Sequence, residues 1–175
     1  MKKKTINIKG VSFNQALNIS AQWCKEWRED LLSEEVLADR IAELLKTKNG
    51  LRGFFAYALS DSDCYLLDKL PFPLVVKLIE GGKDVVDIVI KNLIMSSAQI
   101  IVHMRENNLE YKLTSENISE RCKGILRLLE TKLVTHAIKQ IIQDLDNLGN
   151  SFDNSIKYDA EQKKFIKKQI IDIAQ

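Results

Sequence analysis

Cysteine, proline, glycine and histidine are all scarce in this sequence: three, two, seven and two of them among 175 residues. Each scarcity excludes something. Cys24, Cys64 and Cys122 are odd in number and irregular in spacing, which suits reduced thiols and not the disulfide framework of a small secreted domain. No C-x-x-C or H-x-x-x-H pair occurs, so a zinc site is not written in the chain. Ile100 and Leu133 stand three residues ahead of His103 and His136, which rules out the Glu-x-x-His set of di-iron bundles. Neither a metal nor a cofactor is expected. The small number of Gly and Pro residues leaves long stretches without helix breakers.

Charge of one sign is lacking as well. A net charge of +2 offers no concentrated positive surface for a phosphate backbone, and the second expected helix is acidic, with Glu34, Glu35, Asp39 and Glu43. Nucleic acid is therefore not an expected partner. The most apolar stretch, 85–104, is interrupted by Asp87, Lys91, Asn92, Gln99 and His103, which are costly in a bilayer, so no transmembrane segment is expected. Met1-Lys2-Lys3-Lys4 is followed by residues too polar for the apolar core of a signal peptide. The expected location is the cytoplasm.

What is present is the material of a packed helical domain, 45% hydrophobic and 29% charged in 20.0 kDa. We expect a single domain over 1–175, all-α, with about six helices packed around a central apolar helix at 84–105. From Ser12, the positions Phe13, Leu17, Cys24, Trp27 and Leu31 keep helical spacing. Ser33 with Glu34 and Glu35 opens a second helix, which Asn49-Gly50 is expected to stop. The aromatic cluster of Phe54, Phe55 and Tyr57 fits a helix or a strand equally well. A short helix over 74–80 closes at Gly81-Gly82, and Asp84 then opens the central helix.

A long helix from Thr114-Ser115-Glu116 runs through Ile118, Cys122, Ile125, Leu129, Leu133, Ala137, Ile141, Leu145 and Leu148, with a bend expected near Gly124. Asp159-Ala160-Glu161-Gln162 forms a capping box for the last helix. Short β segments are expected near 5–9, within an extended arm over 1–10, and near 110–113. A loop is expected over 150–158.

Patterns that could carry chemistry mostly fail on spacing. Gly81-Gly82-Lys83-Asp84 precedes a helix but has Lys77 where a P-loop needs its first glycine, and Asp84 where it needs Ser or Thr. Asp61-Ser62-Asp63 opens like a calcium loop, yet Tyr65 and Leu67 follow where oxygen ligands belong. No G-x-S-x-G turn occurs. Cys24 and Cys122 lie on apolar helical faces, while Cys64 falls in a loop and is the thiol expected to react most readily.

Three constellations remain. Asn92, Ser96, Gln99, His103 and Glu106 recur at steps of four and three, forming a polar stripe on an otherwise apolar helix. The stripe is either a solvated edge or the lining of a pocket in which Asn92, Ser96, Gln99 and His103 bind a small molecule, with His103 able to move a proton. Trp23 and Trp27, one turn apart, either pack in the core or anchor an interface. Lys163, Lys164, Lys167 and Lys168 make one face of the last helix basic, diluted by Asp159, Glu161 and Asp172. The expected function is non-catalytic: an intracellular helical protein that mediates protein–protein interaction or regulation, with a protein partner or by self-association as a homo-oligomer. The alternative is a small-molecule-binding protein or enzyme with a pocket beside the stripe.

Overall fold

In a computed structural model the described residues, 8, 10–146 and 157–173, form eight helices and no strand. The chain is all-α. Its packing groups into two compact units, residues 1–81 and 82–175, each with its own set of helix contacts.

The first unit holds α1 (Phe13–Arg28), α2 (Glu34–Leu45), α3 (Lys48–Ser60) and α4 (Phe72–Glu80). Ser12 starts α1 with a full capping box, its hydroxyl taking the Gln15 N–H while Gln15 returns the bond to the Ser12 N–H. Ser33 caps α2. Asn49-Gly50 does not end α2. Thr47 accepts the Gly50 N–H at 3.0 Å and begins α3, so Asn49 and Gly50 sit in its first turn. The aromatic cluster is thereby helical, and Phe54 and Phe55 are wholly buried with their rings edge to face, 5.1 Å apart. α1 packs on α3 and α2, and α2 packs on α3 and α4. Pro71 precedes α4 and Pro73 lies in its first turn, where the missing N–H costs nothing.

The second unit is built on α5 (Gly82–Arg105), which packs against α6 (Leu109–Leu128), α7 (Thr131–Asp146) and α8 (Ala160–Ile171). This is the central apolar helix expected over 84–105, begun two residues earlier, with Asp84 in its first turn. Val85, Val89, Leu93, Ala98, Ile100 and Ile101 are buried along it. The segment at 110–113 is helix and not β. Asn108 accepts the Tyr111 N–H at 3.2 Å, so its side chain caps α6. The long helix is divided at Leu129 and Glu130, not at Gly124, which stays inside α6.

Asp159 and Gln162 close the expected capping box of α8. Arg105 ties that end of α8 to α5 through Asp159 and Glu161. Lys123 of α6, 5% exposed, meets Glu120 at 2.6 Å and Asp172 at 3.4 Å at the other end. The arm over 1–10 and its strand near 5–9 lie outside the described residues except at Ile8 and Gly10. The loop expected over 150–158 lies outside them up to 156.

Candidate functional site

The polar stripe does not present a row of free donors. Asn92 Nδ2 donates to the Ile88 carbonyl at 2.8 Å, and Ser96 Oγ donates to the Leu93 carbonyl at 3.1 Å, so both side chains are engaged by their own helix. Asn92 is half-buried, Ser96 buried and Gln99 exposed. His103 differs from the other three. Its side chain is largely covered, its Nδ1 is buried without a hydrogen-bond partner, and Glu106 Oε2 stands 3.6 Å away, beyond hydrogen-bonding distance. The His103 ring lies 5.6 Å from that of Tyr111.

Tyr111 belongs to a group that sequence reasoning missed. Where α5 turns into α6, Met104, Leu109, Tyr111 and Leu113 are 51%, 66%, 58% and 50% exposed. All four fall within ten residues of one helical hairpin tip, interspersed in sequence with Arg105, Glu106, Glu110 and Lys112. A helix from Leu109 puts Leu109 and Leu113 on one face, four residues apart, and turns Tyr111 towards the opposite side, where its ring lies near that of His103. The sequence signal was present in Leu109, Tyr111 and Leu113, but a short β segment was expected near 110–113.

The two tryptophans separate. Trp23 is 3% exposed, with the Arg40 guanidinium 5.8 Å above its ring, and so belongs to the core of the first unit. Trp27 is half-buried, its ring 5.1 Å from that of Tyr65. Cys64, expected in an accessible loop, is in the connection between α3 and α4 but fully buried, as are Cys24 and Cys122. Burial alone holds the Cys122 thiol above the usual range. Lys83, of the glycine-lysine turn, pairs with Asp87 one helical turn on. No three His, Cys, Asp or Glu side chains among the described residues are grouped to hold a metal ion.

α5 is also the one described helix long and apolar enough to cross a membrane, and 61% of its most apolar window is buried within the protein. A family described as "Uncharacterised conserved protein UCP020893" matches residues 12–173. Neither a curated protein nor a solved structure matches the chain.

Proposed function

The chain belongs to the UCP020893 family, whose match runs through both units, and from that premise we propose a non-catalytic, cytoplasmic helical protein that acts by binding another protein, in the first instance a second copy of itself. The apolar tip of the α5–α6 hairpin carries this reading. Single exposed apolar side chains are ordinary on any surface, but four within ten residues of one hairpin tip offer apolar area that a partner would remove from water. Met and Tyr are among the residue types enriched at interface centres. In this reading α5 is a core helix, its Asp87 and Lys91 belonging to a folded unit, and three cysteines outside any disulfide suit a reducing compartment.

The test is light scattering across a concentration series on the wild type and on the double variant Leu109→Ser/Tyr111→Ser. The wild type should form a dimer or larger species and the variant should not, with circular dichroism and melting unchanged because both side chains are exposed. A wild type that stays monomeric throughout the series, or a variant that assembles equally well, would overturn self-association through this tip.

One observation favours a second reading, in which the same end of α5 holds a small molecule. A buried imidazole nitrogen without a partner is uncommon, and an acceptor or donor on a ligand at His103 Nδ1 would supply one. Native mass spectrometry separates the two. Added mass that is lost on denaturation, and absent from His103→Ala, supports the ligand, while bare multiples of the chain support the interface.

A further inference from the structure

Away from the hairpin tip, the first unit places two nucleophiles side by side. Cys24 lies within α1 and Cys64 in the connection between α3 and α4; they are 1% and 0% exposed, neither is in a disulfide, and they share a hydrogen bond. The contacts around them keep the same register. Arg28, one turn further along α1, donates to the Asp63 carbonyl, and the Trp27 ring meets that of Tyr65. Within the connection the Asp63 N–H donates to Asp61 Oδ1 at 2.8 Å and the Cys64 N–H to the Asp61 carbonyl at 3.3 Å. Residues 24, 27 and 28 of α1 thus hold residues 64, 65 and 63 of the connection.

A thiol is a weak donor and a weak acceptor, so this pair adds little to stability that apolar side chains would not supply. Its distinctive property is that two thiols meet across two segments, as an intramolecular disulfide requires. We propose that Cys24 and Cys64 are a reversible redox pair, which hydrogen peroxide converts into an intramolecular disulfide that staples α1 to the connection between α3 and α4. Cys64 reacts first, because the segment that carries it is non-helical and can open by releasing Arg28 and Tyr65, whereas Cys24 is held within α1.

In the first step the Cys64 thiol gives up its proton, its sulfur takes one oxygen from the peroxide as the O–O bond breaks, and the departing hydroxide leaves with that proton as water. In the second, the Cys24 sulfur attacks the Cys64 sulfenic acid, the S–O bond breaks, and the hydroxide leaves with the Cys24 proton as a second water. Two thiols lose two electrons and two protons, and one peroxide becomes two waters. The closed form is protected. The hydrogen bond to Cys64 and burial hold the Cys24 thiol protonated far above the usual thiol range, so reaction waits on opening of the connection.

The folded full-length chain is treated with hydrogen peroxide, then denatured and alkylated, and its mass and peptides are recorded. Three alkylated cysteines before treatment should become one, Cys122, with loss of two hydrogens and a linked peptide joining Cys24 to Cys64. Dithiothreitol should restore all three, and the oxidised chain should melt several degrees higher, since the link encloses a long segment. Cys64→Ser should leave Cys24 alkylatable. Should that variant not fold, Cys122→Ser must still lose two hydrogens. Three alkylatable thiols after treatment, sulfinic acid at Cys64 without a link, or a disulfide that uses Cys122 would each overturn the proposal.

Discussion

Two glycines inside helices show how differently one residue type can be used. A Cβ at Gly53 of α3 would stand 2.5 Å from the Ala16 Cβ, 2.9 Å from the Leu17 nitrogen and 3.0 Å from the Phe13 oxygen, so the approach of α3 to α1 depends on its absence. At Gly124 of α6 a Cβ would meet nothing within 4 Å. Gly53→Ala should therefore lower stability by about 1–3 kcal/mol, overpacking outweighing the gain in helix propensity. Gly124→Ala should raise it by about 0.5–1 kcal/mol. Urea denaturation of the two variants checks both signs, and equal effects would remove the close approach at Gly53. Neither role is visible in the letters, because helix propensity penalises both positions alike. The tryptophans give the same lesson: their spacing placed Trp23 and Trp27 on adjoining turns, but only the Arg40 side chain over Trp23 and Tyr65 beside Trp27 assign one to the core and the other to its margin.

Among the helices, α8 depends most visibly on one side chain. Asp159 caps it and also receives Arg105, and the Arg105 guanidinium with the Gln162 N–H holds the Asp159 carboxyl at about 2, below its ordinary 3.8. The folded form binds this proton less readily than the unfolded chain, so the support that Asp159 lends is present above pH 3.8 and is lost as pH falls towards 2. Hydrogen exchange in the first turn of α8 should accelerate over that window in the wild type. In Asp159→Ala the exchange should already be several-fold faster at neutral pH, without a further acid step from this group. An exchange rate that does not change between pH 4 and 2 in the wild type would contradict the pairing. α8 was legible in the sequence through this cap and its isoleucines. α3 and the start of α6 were not, because Thr47 and Asn108 each lie beside residues that commonly end helices, Asn49-Gly50 and Asn107. Their capping bonds decide which side of the break continues.

At the scale of the whole molecule, stability rests on two separate sets of packed helices, and a core truncation should be felt throughout the set that contains it. Phe54, wholly buried in α3, should cost about 3–5 kcal/mol on replacement by Ala, through lost apolar transfer and the cavity left behind. Hydrogen exchange should rise across α1 to α4, and an effect confined to α3 would argue against a shared core in the first unit. Periodicity and composition were enough to establish that the chain is helical, that an apolar helix near 84–105 anchors part of it, and where α1, α2 and α8 begin. These features depend on spacing within one segment, where side chains three or four residues apart must share a face whatever else the fold does. Which faces are covered depends on segments far apart in sequence. Only the tertiary structure brought Cys24 to Cys64, closed the space around Gly53, and left Met104, Leu109, Tyr111 and Leu113 uncovered at a hairpin tip, because burial is a property of what a neighbouring helix covers and no single segment encodes its neighbour.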